Sequence, residues 1–199
     1  MISIDPRDTA LWACVPNNHT MRFRWIPALI IASSVSTLSG CGAVIDRAVS
    51  EVIGEETYII TSESMEPTLA KGSRVTVSMV GEGEYEPKYG DVVLFEAPEW
   101  ERDYSAISRV IGVPGSTVGC CDPAGRLLLN GKPLREDYVR PDEDPIFPDF
   151  SVTVPAGRLW LMGDHRAVAL DSRSYQLKPG GGTISVSGVL GVIEDAGTG

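Results

Sequence analysis

Histidine and cysteine are scarce in these 199 residues, two of the former and four of the latter. No Cys-x-x-Cys pair and no Cys/His spacing of a metal-binding kind occurs, so neither zinc nor any other metal is expected, since a structural zinc takes four such ligands. Basic side chains are also few, 17 Lys+Arg against 27 Asp+Glu. Nucleic acid is therefore not an expected partner, because its binding needs clustered positive charge to displace phosphate counterions. Long apolar runs are lacking too. The run from Trp25 to Ser39 contains Pro27 and several serines and falls short of the roughly 20 residues that a membrane-crossing helix needs. Aromatic residues make up 7% and hydrophobic residues 43%, enough for one ordinary core but not for two comfortable domains. There is no internal repeat, and no cofactor is expected.

What the amino-terminal region does contain is a leader pattern. Met21-Arg22-Phe23-Arg24 gives a basic start, Trp25 to Ser39 an apolar stretch, and small residues follow. Residues 1–20 fit no leader, with Asp5 and Asp8 in place of basic residues, so Met21 is read as the true start. Leu38-Ser39-Gly40-Cys41 resembles the bacterial lipoprotein cleavage box, in which the cysteine carries diacylglycerol and becomes the mature N-terminus. The alternative is a short membrane anchor beside an ordinary Cys41. Removing residues 1–40 takes away Arg7, Arg22 and Arg24 against Asp5 and Asp8, leaving a still more acidic chain that an anionic membrane surface repels. Holding it there needs acyl chains.

From Gly42 to Glu56 the apolar residues Val44, Ile45, Ala48, Val49, Val52 and Ile53 recur at helical spacing, which predicts a short linker helix over 41–57. Beyond it the period becomes two, or short apolar runs take over. Strands are predicted at Tyr58–Thr61, Arg74–Met79, Asp91–Phe95, Ala106–Val113, Arg126–Leu129, Ser151–Val154, Arg158–Met162, Ile184–Val186 and Val189–Ile193. Asn130-Gly131 is a two-residue hairpin signal. The reading is an all-β, barrel-like body over 58–195, with exposed loops at Asp142–Asp149 and Lys178–Thr183. Cys120-Cys121 precede a turn at Asp122–Gly125. A vicinal disulfide and two reduced thiols are both open, and a turn-rim pair without chemistry is the preferred reading.

Four blocks carry the chemistry. They are Ser62-Glu63-Ser64-Met65-Glu66-Pro67-Thr68-Leu69, Gly90-Asp91-Val92-Val93-Leu94-Phe95, Ser108-Arg109-Val110-Ile111-Gly112-Val113-Pro114-Gly115, and Gly163-Asp164-His165-Arg166 running on to Asp171-Ser172-Arg173. In kind and order they resemble the bacterial type I signal peptidases (peptidase family S26), over roughly Tyr58 to Ile193. The resemblance implies coiled antiparallel sheets with a site in a groove at one edge. It implies Ser64 as nucleophile, with its own N–H and the Ser62 hydroxyl as oxyanion donors, and Met65 at the groove floor. Asp164, Asp171, Ser172 and Arg173 would brace the site, as would Arg109, for which a surface charge is the rival reading. The implied activity is serine endopeptidase cleavage after Ala-x-Ala-type ends of signal peptides on exported preproteins, at the outer face of the cytoplasmic membrane.

The chain departs from that pattern at two linked positions. Ser108 stands where the family carries the lysine that serves as general base, and Ala169 where it carries the serine that orients that lysine. A hydroxyl has no useful basicity near neutral pH, so the serine lacks its proton acceptor. Lys71 and Lys88 fall where the family has surface positions, and His165 is the alternative base, though a lone histidine is more often structural. Two functions follow as expectations. One is a membrane-associated serine endopeptidase of doubtful activity, and the other a catalytically inactive peptide-binding or regulatory lipoprotein of the same fold. Self-cleaving repressors, which share this chemistry, also need the lysine and are disfavoured.

Overall fold

The structure is a computed structural model, and it describes residues 54–141, 149–194 and 196. The leader, Cys41 and most of the expected linker helix lie outside the described residues, as do residues 142–148 of the first expected loop. Strands follow in order: β1 (Glu55–Ile59), β2 (Arg74–Met79), β3 (Val92–Phe95), β4 (Ala106–Gly112), β5 (Thr117–Cys120), β6 (Leu128–Leu129), β7 (Lys132–Pro133), β8 (Phe150–Thr153), β9 (Arg158–Met162), β10 (Ile184–Ser185) and β11 (Val189–Ile193). Among the described residues they form two antiparallel sheets, ordered β1-β2-β11-β3-β4-β9-β10 and β7-β6-β5-β8. Among the described residues helix is confined to single 3₁₀ turns such as Pro98–Trp100. This is the all-β architecture expected from the pattern.

Strand β3 and residues 159–162 of β9 read as unbroken apolar runs because they are buried on both faces. Val93 and Phe95 pack with Val110, Leu159 and Leu161 on one side, while Val92 and Leu94 pack with Val75, Val77 and Met65 on the other. Each such side chain contributes about 1.5–3 kcal/mol on burial. A third cluster joins the sheets, taking Ile111, Trp160 and Met162 from the large one and Val118 and Phe150 from the small. Phe150 stacks on Trp160 with ring centroids 5.2 Å apart. The expected hairpin is present: Asn130 and Gly131 have φ of 51° and 76° and join β6 to β7.

Several local expectations change. Glu55, Glu56 and Thr57 belong to β1, paired with Ser78, Val77 and Thr76, so the sheet begins before residue 58 and the helical spacing gives way there to strand pairing. Strand β5 was not legible because Thr-Val-Gly-Cys offers little apolar period, yet it pairs with both β6 and β8. Cys120 and Cys121 are joined in a vicinal disulfide at its end, beside the turn that Gly125 N–H closes on the Asp122 carbonyl. The segment Lys178–Thr183 is not simply exposed. Gly182, Thr183 and Ile184 are buried, and the Ser172 carbonyl fills the space where a side chain on Gly182 would lie.

Candidate active site

Ser64 lies in the turn that follows β1. The chain is held to itself on both sides, by Ile60 N–H to the Ser73 carbonyl (2.9 Å) and Leu69 N–H to the Met65 carbonyl (2.9 Å). The hydroxyls of Ser62 and Ser64 share a hydrogen bond of 2.9 Å. Met65 drops into the core beneath them, 2% exposed. A cleft of about 180 Å³ opens beside this turn. Its walls include Ser62, Ser64 and Met65 from the turn, Ala106, Ile107 and Ser108 from β4, and Val168, Ala169 and Leu170 from the segment after β9. Ser64, Ser108 and Ala169, which the resemblance singled out for the expected nucleophile, base and orienting serine, thus share one cavity.

The second wall is fixed by buried ion pairs. Arg109 donates from Nε to Asp164 Oδ1 (2.9 Å) and from Nη2 to Oδ2 (2.7 Å), and both side chains are fully buried. This bidentate geometry is what such a pair needs to repay its desolvation. The same guanidinium donates to the carbonyls of Gly90 (2.9 Å) and Ala196 (3.2 Å) and lies 4.1 Å over the Tyr138 ring. Thr68, four residues after Ser64, donates to Asp164 Oδ2 at 2.5 Å. Through Asp164 the serine turn is therefore tied to β4.

Asp171 makes the companion brace. Its Oδ1 accepts from Arg173 N–H (3.1 Å) and Nε (2.8 Å), and its Oδ2 from Arg173 Nη2 (2.6 Å) and Gly163 N–H (3.0 Å). Ser172 Oγ accepts from Leu161 N–H at 2.8 Å, which fixes the segment to β9. Gly163 is needed by close approach: a Cβ there would stand 2.5 Å from both the Ser64 carbonyl oxygen and the Ala169 Cβ. That contact is how the segment reaches the serine at all.

His165 is buried at 4% exposure and lies behind the turn. Its backbone N–H donates to the Ser64 carbonyl (3.0 Å), and its Nδ1 is 3.2 Å from the Glu63 carbonyl oxygen. It is not among the residues lining the cleft. Lys71 is exposed and paired with Glu63 at 3.0 Å. The hydrogen bond and charge of Lys71 hold the Glu63 carboxyl below its ordinary range. Neither Lys71 nor Lys88 lines the cleft.

Sequence reasoning gave no role to Arg166, Glu136, Arg140 or Thr68. Arg166 and Glu136 form a 2.6 Å ion pair with the arginine almost fully buried. Burial alone would lower the Arg166 pKa, but the Glu136 hydrogen bond and charge outweigh it and the net shift is upward. Arg140 pairs with Glu66 of the serine turn at 3.3 Å. Arg166 and Thr68 stood inside the quoted blocks, which was the available signal. Glu136 and Arg140 had none, because their partners are distant in the chain. Among the described residues no cluster of His, Cys, Asp and Glu suited to a metal ion is found.

An exposed-turn serine hydrogen-bonded to a second hydroxyl, set at a half-apolar cleft in an antiparallel β body, has the layout of a serine hydrolase whose described cleft carries no side-chain base. The chain belongs to the signal peptidase, peptidase S26 family, whose model matches residues 24–194. It is similar to a probable signal peptidase I of Mycobacterium leprae, 35% identical over 67% of this chain and 65% of that one. It is 34% identical to signal peptidase I of Bacillus licheniformis, over 79% of this chain and 81% of that one. A crystal structure of a signal peptidase I from Enterococcus faecalis aligns at 30% identity with a TM-score of 0.43, over 55% of this chain and 97% of that one. The chain spans 65% of the Mycobacterium leprae relative's length and 62% of that of its Mycobacterium tuberculosis counterpart.

Proposed function

We propose that this protein engages the small-x-small ends of signal peptides on exported preproteins, and that it holds them at Ser64 with little or no cleavage. The observation that carries the reading is the cleft itself. Ser62, Ser64, Ser108 and Ala169 line one cavity, and none of the described residues lining it is a lysine, histidine or carboxylate. The Ser64 hydroxyl shares its hydrogen bond with the Ser62 hydroxyl, and no basic side chain is among the described residues lining the cavity, Arg102 apart, whose guanidinium stays protonated. Loss of a triad-type base commonly slows such a reaction by about 10⁴-fold. Asp164, Asp171 and Arg173 keep the walls in place, so a peptide groove persists without the proton transfer that would turn it over. The setting is the outer face of the cytoplasmic membrane, through a lipidated Cys41 or an N-terminal membrane segment. Support for it comes from the leader pattern and from family membership.

The direct test is cleavage of an Ala-x-Ala preprotein by the purified wild-type chain, with Ser64→Ala as the blank. Turnover within about tenfold of a family enzyme, abolished in Ser64→Ala, would overturn the inactive reading in favour of an endopeptidase. In that event His165→Ala becomes the next variant to assay, since His165 already touches the backbone of Glu63 and Ser64.

A further inference from the structure

Charge is unevenly spread around the cleft. In a chain of net charge −10, the described residues lining the cavity include no carboxylate and a single cation, Arg102. Other arginines near the site are neutralised: Arg109 by Asp164, Arg166 by Glu136 and Arg173 by Asp171. Among the described residues Arg102 has no ion-pair partner, and the hydrogen bond it makes with them is a long one, 3.4 Å from Nη1 to the Leu170 carbonyl. Its Nε is buried and has no acceptor.

The position is nevertheless built. The guanidinium lies 4.3 Å over the Tyr104 ring and 5.8 Å from the rings of Trp100 and Tyr175, which are themselves stacked at 4.5 Å. Stacking of this kind fixes the plane of an arginine fork while leaving its edge free to meet two oxygens. The remaining polar lining is of hydroxyls, Ser62, Ser64, Ser105 and Ser108 among them, each able to donate. Ile59, Val168 and Leu170, large apolar residues left exposed, complete the rim.

We propose that Arg102 is a specificity-determining residue that reads the free C-terminal carboxylate of a bound peptide. Among occupants of this groove, a peptide ending in small residues, already cut or naturally terminating there, is held more tightly than an intact chain passing through. This rests on the peptide-groove reading above and deepens it. A cavity rich in donors and without an acceptor for a proton suits an anion with two oxygens. Small terminal residues bring no side-chain carboxylate of their own, so the backbone carboxylate is the anion they supply.

The test uses the full chain and three labelled forms of one apolar peptide ending in Ala-Gln-Ala: free acid, C-terminal amide, and an amide carrying Asp three residues from the end. Binding is read by fluorescence anisotropy. The free acid is expected to bind roughly tenfold tighter than the amide, about 1.4 kcal/mol, and the ratio is expected to shrink as salt is raised. In Arg102→Gln the ratio of acid to amide affinity should fall to near one. Equal binding of acid and amide by the wild-type chain overturns the inference and leaves the groove reading intact, and it needs no variant to fold. An acid preference that persists in Arg102→Gln overturns it as well. Binding of the Asp-containing amide as tight as that of the free acid refutes the terminal assignment. Failure of all three forms to bind refutes the groove reading itself, and this inference with it.

Discussion

Ser108 is 5% exposed and lines the same cavity as Ser64. A lysine placed there would be largely desolvated, and desolvation favours its neutral, basic form. Ala169 lines the same cavity, and a hydroxyl there is expected to orient such an amine. Ser108→Lys combined with Ala169→Ser is therefore expected to restore cleavage of an Ala-x-Ala reporter, and to exceed Ser108→Lys alone by up to about 100-fold, since an unanchored lysine samples unproductive positions. The gain should vanish when Ser64→Ala is added. A double variant that is folded yet stays at background would show that the groove has diverged in more than its base.

At the scale of elements, the segment from Gly163 to Arg173 does most of the positioning, because it grips β4 through Asp164, β9 through Ser172 and the serine turn through His165. Asp164→Ala leaves Arg109 buried without its carboxylate, and breaking a buried pair from one side costs about 3–5 kcal/mol. Urea unfolding should register that loss, and Asp164→Ala with Arg109→Met should recover part of it. A loss under about 1 kcal/mol would mean that the pair does not hold the wall. Two buried tyrosines set a second expectation. Burial and the Asp91 hydrogen bond raise the Tyr85 pKa, and burial, the Glu136 charge and the Tyr89 hydrogen bond raise that of Tyr138. A raised folded-state pKa favours the protonated form in the fold, so this stability is complete below about pH 10, the ordinary tyrosine value, and is lost as pH rises beyond it. Thermal unfolding between pH 8 and pH 11.5 should show the decline. Replacing both tyrosines by Phe should flatten the curve above pH 10, and an unchanged slope would contradict the assignment.

For the whole molecule, no helix among the described residues is long and apolar enough to cross a membrane, and the chain is strongly acidic. An acyl anchor would supply what charge cannot, so mass spectrometry of the membrane fraction is expected to find an N-terminal peptide beginning at an acylated Cys41. An unmodified Cys41 still joined to residues 21–40 would refute that. Strand pattern was legible from sequence wherever burial is local and repetitive: β2, β9 and β11 lie where the apolar runs put them, and Ser62, Ser64, Met65 and Ser108 of the first and third motif blocks line one cleft. β5 was hidden, since pairing on both sides rather than its own side chains makes it a strand. So was Arg102, an unremarkable charge in the chain that becomes the one cation among the described residues lining the cleft, with Trp100, Tyr104 and Tyr175 around it. Which residues are present, Ser108 and Ala169 among them, is written in the sequence alone. Which charges are neutralised and which face the cleft depends on contacts between segments far apart in the chain, as when Asp164 reaches back to Arg109 and Thr68, and only the folded structure decides that.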